Sequence, residues 1–188
     1  DKRLGDNVRR LKGNVIFTHD ESVMQCDSAY LYSDTNSLKA FSNVRIQIND
    51  TINIYGDILD YRGNEKTATL TGNVKMVDPQ MTLTTSRLVY DLNNNTARYT
   101  TGGVIVDREN ELRSVFGLYN ADSKEFFFRD KVVLVNPQYI MHSDTLKYNT
   151  LSEIAYFFGP TTIESEENTI YCRNGWYDTK NDLARFSR

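Results

Sequence analysis

Proline and cysteine are scarce in this chain, and it has neither a long apolar run nor an excess of basic residues. Its two cysteines, Cys26 and Cys172, lie far apart and form no CxxC pair, which argues against a disulfide framework and a zinc ribbon. No apolar stretch approaches the roughly 20 residues that a membrane helix needs. Because 22 Lys and Arg face 25 Asp and Glu, clustered positive charge is missing, and we expect no nucleic-acid partner.

The residues that are plentiful favour β-structure. The chain has 12 Tyr and 9 Phe, and Val, Ile and Thr are common between short clusters of Asn, Asp and Gly. Aromatic and β-branched residues favour strands, whereas Asn, Asp and Gly favour turns. No stretch keeps apolar residues at spacings of three and four, so the sequence predicts an all-β fold with little or no helix.

Tyrosine recurs at a fixed interval of 29 residues. It stands at positions 32, 61, 90, 119, 148 and 177. Three further columns keep the same spacing: Phe41, Leu70, Tyr99, Phe128, Phe157, Phe186; Lys39, Ala68, Ala97, Phe126, Ala155, Ala184; and Gln25, Ile54, Leu83, Leu112, Met141, Ile170. A fixed period of this length is typical of repeat architectures. We predict six 29-residue repeats of two strands, about 13 strands in all, in one domain over residues 1–188 whose first repeat is partly truncated.

Polar turns separate the predicted strands on both sides. Asp34-Thr35-Asn36-Ser37 and Arg62-Gly63-Asn64-Glu65 follow the tyrosines, and Asn49-Asp50 and Asp78-Pro79 precede the next strands. Short turns of this composition are typical of hairpins. The sequence therefore predicts antiparallel pairing between successive strands.

The strands are predicted to bend in the middle. In the second repeat the apolar residues Ile52 and Ile54 have even numbers, whereas Leu59 and Tyr61 have odd numbers, so they would lie on opposite faces of a straight strand. Gly56-Asp57 lies where the pattern changes. Glycine and a one-residue phase shift are typical of bulges and sheet corners. Stacked in register, such bends predict an elongated V-shaped or jelly-roll-like sleeve with an apolar interior and an exposed strand edge at each end.

Several motifs in one register resemble a known family. Gly-Asn-Val occurs at 13–15 and 72–74, with Ser42-Asn43-Val44 as a variant. Segments ending in Leu-x-Tyr occur at 57–61, 86–90 and 144–148, and Ala-x-aromatic endings occur at 97–99, 155–157 and 184–186. Together they resemble the OstA-like family, LptA-like and LptD amino-terminal-domain-like, in the form found in Bacteroidetes-type bacteria. The fourth repeat departs from the pattern with Val115-Phe116-Gly117.

The resemblance implies a function as well as a fold. It implies a periplasmic protein of a Gram-negative cell envelope that binds lipopolysaccharide through lipid A and carries it toward the outer membrane. Its implied partners are lipopolysaccharide and other Lpt-type envelope proteins, joined by edge-strand stacking, and further copies of the chain in an end-to-end homo-oligomer.

The interior columns are the candidate lipid-binding groove. Its predicted residues are Ile54, Leu59, Leu83, Leu88, Leu112, Met141, Leu146 and Ile170. Burial of one methylene is worth about 0.8 kcal/mol, so a trough of such residues suits acyl chains. The alternative is a closed core without a lipid ligand, as in a structural or adhesive envelope repeat. The tyrosines have two interpretations as well, either a ladder that braces the fold or a surface that faces the ligand.

Signs of catalysis are few. His19 and His142 occupy different columns without matching carboxylates, and no serine has a GxSxG context. A carbohydrate-active β-helix would have shorter coils, parallel strands and a column of carboxylates. We predict no enzyme activity, no metal and no cofactor.

Overall fold

Alternating apolar residues between short polar turns form β-strands throughout the computed structural model, which describes residues 7–181 and 183–187. The chain divides into two compact units, Asp1–Asn94 and Asn95–Arg188. The strands of the first unit are β1 (Val8–His19), β2 (Ser22–Tyr32), β3 (Ser37–Ile48), β4 (Ile52–Arg62), β5 (Thr67–Val77) and β6 (Thr82–Asp91). Each pairs antiparallel with the next in chain order.

The second unit continues the pattern with two interrupted strands. Its strands are β7 (Thr96–Tyr99), β8 (Gly103–Asp107), β9 (Asn110–Ser114), β10 (Phe116–Asn120), β11 (Glu125–Asn136), β12 (Tyr139–Asn149), β13 (Ile154–Ser165), β14 (Thr169–Asp178) and β15 (Leu183–Ser187). β7 pairs with β10 and β8 with β9, and β11 pairs with β9, β10 and β12. From β12 to β15 each strand pairs antiparallel with the next. The interruption between β9 and β10 falls at Val115, where the sequence departs from the repeat.

The Gly-Asn pairs explain the bends. At Gly13-Asn14, Ser42-Asn43 and Gly72-Asn73 both residues have positive φ, between 45° and 79°. Each pair is skipped in the pairing with the neighbouring strand, as between Thr71 and Val74 of β5. Two left-handed residues in an otherwise extended strand turn the chain sharply, and glycine and asparagine adopt this conformation at the least cost.

The bends change the phase of burial as the sequence predicts. In β4, Ile52 and Ile54 are buried in the first half, and Leu59 and Tyr61 are buried in the second half. Within each unit the two halves of the sheet cover each other, because both inner faces are buried and no other layer is present among the described residues. The predicted fold class, all-β with antiparallel bent strands and little or no helix, is confirmed.

The first repeat is displaced by one residue from the predicted columns. Leu38 lies opposite Tyr61 as Ala68 lies opposite Tyr90, so Leu38, not Lys39, is the structural equivalent of Ala68. The same shift places Ala40, Met24 and Leu31 at the column positions that the 29-residue spacing gives to Phe41, Gln25 and Tyr32.

An extra residue within the hairpin formed by β3 and β4 is the physical cause of this displacement. The paired residues Ile46 and Ile54 are eight positions apart, whereas their equivalents Met76 and Leu83 are seven positions apart. Because side chains alternate along a strand, a shift of one residue exchanges the inner and outer faces. The prediction was therefore wrong for Gln25, Tyr32, Lys39 and Phe41, and Lys39 is exposed.

Candidate functional site

The predicted interior residues of the first unit lie in two stripes, one on each side of the bend. Ile54 lies between Ile46 and Met76 of the neighbouring strands, and Leu83 lies opposite Met76. On the other side of the bend, Leu59 and Leu88 both lie opposite Leu70. All four predicted residues are buried to 1% exposure or less. The sequence therefore placed each of them on the correct face.

The second unit repeats this arrangement with larger side chains. Leu112 and Met141 both lie opposite Leu134. Leu146 lies between Phe128 and Phe157. Leu112, Met141 and Leu146 are buried to 3% exposure or less, whereas Ile170 is half-buried. Seven of the eight predicted residues thus pack in a filled interior, and the eighth lies near its end.

Stacked aromatic rings fill part of the second interior. The rings of Tyr119 and Phe126 stack with centroids 4.3 Å apart, and those of Phe126 and Phe128 stack at 5.1 Å. Offset stacking adds stability beyond the burial of area alone. Phe126 and Phe128 stood in the sequence columns but were not among the predicted site residues, because the columns did not reveal which members would stack.

The interior opens into a cavity beside the last strands. The cavity measures about 240 Å³, and Tyr139, Met141, Ile163, Ile170 and Tyr177 contribute to its wall. The rings of Tyr139 and Tyr177 meet edge to face with centroids 4.7 Å apart. Two of the predicted groove residues, Met141 and Ile170, therefore line the same open space.

Equivalent contacts close the open side of each unit. In the first unit His19 hydrogen-bonds Tyr61, and Asp20 forms a 2.7 Å ion pair with Lys66. We call this pair of contacts the first clasp. It joins the end of β1 and the turn after it to the end of β4 and the turn before β5. The Lys66 ammonium holds the pKa of the Asp20 carboxyl below its usual range. The sheet is thereby fastened along the side opposite its bend.

The second clasp lies three repeats later, and its ion pair has the acidic and basic residues exchanged relative to the first clasp. The Tyr148 hydroxyl donates a 2.9 Å hydrogen bond to Asp107, and Arg108 forms an ion pair with Glu153. Burial, followed by the nearby Asp107 charge, raises the pKa of Tyr148, so its hydroxyl stays protonated and can donate. Members of the tyrosine column therefore brace the fold in both units, the first of the two roles predicted for them.

We expect the second clasp to hold its unit more strongly than the first. Tyr148→Phe removes a hydrogen bond to a buried carboxylate and should lower the free energy of unfolding by about 1.5–3 kcal/mol, whereas Tyr61→Phe should lower it by about 0.5–1.5 kcal/mol. Urea unfolding followed by circular dichroism measures both. Equal losses in the two variants would contradict the charge-assisted role of Asp107.

The two cysteines are unbonded thiols in the described part of the chain. Cys26 and Cys172 are free and buried, and burial raises the pKa of both thiols. Residues 7–181 and 183–187 hold no group of His, Cys, Asp and Glu that suits a metal ion. They also contain no helix long and apolar enough to cross a membrane.

Bent strands, hairpin repeats and an apolar interior define a class of β-repeat proteins that enclose hydrophobic space. The chain belongs to the OstA-like family, since the family model described as OstA-like protein matches residues 1–144 of its 188. The resemblance drawn from the sequence motifs is thereby confirmed. No curated protein matches the chain in a sequence comparison.

A solved structure shares the fold. It is that of LptH from Pseudomonas aeruginosa, described as the LptA-homologous periplasmic component of the conserved lipopolysaccharide transport device. The TM-score is 0.52 at 12% sequence identity, and the match covers 57% of this chain and 81% of that chain. At this identity the likeness concerns the fold.

Proposed function

We propose that this protein binds the acyl chains of lipopolysaccharide in its apolar interior and takes part in the transport of this lipid through the periplasm toward the outer membrane. Membership in the OstA-like family and the fold shared with LptH support a role in lipopolysaccharide transport. The single observation that carries the finer proposal is the apolar cavity beside β12–β15, lined by Met141 and Ile170. It offers an acyl chain a way into the interior.

The energetics favour a hydrocarbon ligand. Transfer of a dozen methylenes from water into an apolar interior yields up to roughly 10 kcal/mol before ordering costs, at about 0.8 kcal/mol per methylene. Beyond the cavity the interior is filled by side chains such as Leu146, Phe128 and Phe157. A chain that enters further must therefore separate the two halves of the sheet, and the second clasp opposes that separation. In this proposal the clasp sets how far the interior opens.

The proposed partners follow from the two terminal strands. Among the described strands, β1 pairs with β2 and β15 pairs with β14, so each has one edge free for strand addition. Such edges suit stacking onto other Lpt-type envelope proteins or onto further copies of this chain. The role is that of a carrier and not of an enzyme.

Photo-crosslinking tests the proposed groove. A benzophenone amino acid at position 141 or 170 should crosslink to added lipopolysaccharide, because both side chains face the cavity. The matched control is position 142, since His142 is the neighbour of Met141 on the exposed face of β12. Crosslinks that are equally frequent at 141 and 142 would contradict the groove.

The second candidate is a structural or adhesive envelope repeat with a closed core. The burial of seven predicted groove residues to 3% exposure or less is the observation that favours it. Its signature is a folded protein that crosslinks to lipopolysaccharide at neither 141 nor 170. Native mass spectrometry with and without added lipopolysaccharide distinguishes the two candidates independently.

A further inference from the structure

The outer surface of the second unit has two unlike halves. The half between the bend and the turns that join β10–β11, β12–β13 and β14–β15 carries exposed aromatic rings, and Phe127, Tyr156 and Phe158 are 40%, 41% and 46% exposed. Trp176 and Phe116 are half-buried on the same surface. Large apolar groups in one exposed patch usually mark an interaction site.

Strand pairing places these rings in two rows that also contain the cations. One row runs across the strands as Arg98, Leu118, Phe127, Lys147, Tyr156, Trp176, Arg185. The next row runs as Phe116, Arg129, Thr145, Phe158, Asn174, Ser187. We call these two rows the aromatic–basic face. It contains five aromatic rings and four cations but no carboxylate.

Carboxylates occur only at the margins of this face. Glu125, beside the turn, forms a 2.7 Å ion pair with Lys147, and Asp130, in the bend, lies 3.7 Å from Arg129. The Arg129 guanidinium also lies over the Phe116 ring at 4.5 Å from its centroid. Arg129 is thus held against a ring, and Lys147 has an aromatic residue on each side in its row, an arrangement in which a charged head can reach water while its stem covers apolar surface.

The other outer half of the same unit provides a contrast. Its rows run as Val104, Arg113, Val133, His142, Thr162, Tyr171 and as Val106, Glu111, Val135, Ile140, Glu164, Thr169. They contain one tyrosine, no phenylalanine or tryptophan, and two carboxylates. Large aromatic rings and cations are therefore concentrated on one half, although β11, β12, β13 and β14 contribute to both halves.

We propose that the aromatic–basic face docks the protein onto an anionic phospholipid surface. Lys and Arg near such a surface are attracted to its phosphates, and aromatic rings settle at the level of the headgroups. A protein partner fits less well, because lysine is depleted at protein interfaces and charge is scarce in their cores. Here Lys147 lies between Phe127 and Tyr156, in the middle of its row.

Vesicle binding tests this proposal directly. The chain should sediment with vesicles of phosphatidylglycerol and phosphatidylcholine at low salt, and at least about tenfold less with pure phosphatidylcholine or in roughly 0.5 M salt. Trp176 is the only tryptophan and lies within the face, so its fluorescence should shift to shorter wavelength on binding. Equal binding to both kinds of vesicle, or to neither, would overturn the proposal.

Matched variants assign the binding to the face. Phe127→Thr/Tyr156→Thr/Phe158→Thr keeps β-propensity and should reduce vesicle binding at least about tenfold. Arg129→Gln/Lys147→Gln should weaken the salt dependence of binding, since Arg98 and Arg185 remain. The control Val133→Thr/Tyr171→Thr changes the other outer half and should bind as the parent does. If the control loses as much binding as the aromatic variant, the face is not the site.

Two further measurements distinguish this face from the interior groove and from a contact between copies of the chain. Ile170→Trp narrows the interior cavity and should leave vesicle binding unchanged. Vesicle binding by the face and lipopolysaccharide binding by the interior can therefore each be lost without the other. Self-association that disappears in the aromatic variant, seen by analytical ultracentrifugation without vesicle binding, would assign the face to a second copy and overturn the proposal.

Discussion

Replacing Gly117 by alanine is expected to lower the free energy of unfolding of the second unit by about 3 kcal/mol, at the upper end of the usual cost of overpacking a core. A Cβ at this position would overlap the Tyr99 ring, which lies against Gly117 of the paired strand. The overlap concerns a rigid ring, so no flexible side chain can move aside. Gly103 also contacts this ring, since a Cβ there would lie 2.6 Å from Cζ of Tyr99.

The surroundings of Tyr99 explain why the ring cannot relax. Tyr99 is 2% exposed, and its hydroxyl forms a 2.7 Å hydrogen bond with the Ser114 hydroxyl. Burial raises the pKa of Tyr99 to about 12, so the phenol remains protonated over the physiological range. Any displacement of the ring would strain this bond or the close approach to Gly103.

Fluorescence of Trp176 isolates the effect, because the only tryptophan lies in the second unit. A urea titration followed at this residue should show a midpoint well below that of the parent. In a Tyr99→Leu background the same Gly117→Ala change should cost less than about 1 kcal/mol, since the ring that it meets is gone. A cost that is the same in both backgrounds would show that Gly117 is required for the backbone conformation and not for the space that the Tyr99 ring occupies.

Much of this fold can be predicted from the sequence, because a weak local pattern becomes informative when it recurs in several repeats. One Gly72-Asn73-Val74 segment or one phase change between Ile54 and Leu59 says little, but their recurrence in register fixes the hairpins and the bends. The inward orientation of the predicted groove residues follows from alternation within each strand half. These features depend on local geometry, which a repeat preserves.

The displaced first repeat shows where periodicity misleads. Tyr32 and Tyr61 are 29 positions apart, yet Leu31 is the equivalent of Tyr61, because the chain holds one more residue between the paired Ile46 and Ile54 than between their equivalents Met76 and Leu83. A tyrosine happens to stand beside the true position, so the spacing conceals the insertion. Only the strand register reveals it.

The clasps were beyond sequence reasoning for a different reason. Their partners are separated by 41 to 46 residues and come from turns on opposite edges of the bent sheet. Equivalent positions also carry unlike residues: His19 corresponds to Asp107 and Lys66 to Glu153. A comparison of columns therefore finds only the tyrosine in common, although equivalent positions meet in both units.

Leu146→Asp is expected to unfold the second unit at neutral pH. Leu146 has no exposed surface and lies between Phe128 and Phe157, which offer a carboxylate no hydrogen bond. An unpaired buried charge costs several kcal/mol, which is comparable with the whole stability of a small domain, so we expect the unit to unfold at pH 7. Leu146→Ala should cost about 2–5 kcal/mol by leaving a cavity.

The pH dependence of stability distinguishes the cost of burying a carboxylate from the cost of changing the size of the side chain. Burial raises the folded-state pKa of the introduced carboxyl above its value in the unfolded chain. The loss of unfolding free energy is therefore largest above the folded-state pKa and decreases as the pH falls below that pKa. Leu146→Asp should therefore recover stability on acidification relative to the parent, whereas Leu146→Asn and Leu146→Ala should not. A penalty that does not depend on pH would mean that the new side chain reaches water.

The same variant tests whether the chain behaves as one domain. Leu146 and Trp176 lie in the second unit, so tryptophan fluorescence reports unfolding there, whereas circular dichroism reports the strands of both units. In a repeat protein, stability is shared between neighbouring repeats through their interfaces. If Leu146→Asp at pH 7 removes the whole β-sheet signal, the predicted single domain over residues 1–188 folds as one cooperative body. If about half of the signal remains while Trp176 becomes exposed, the first unit folds without the second.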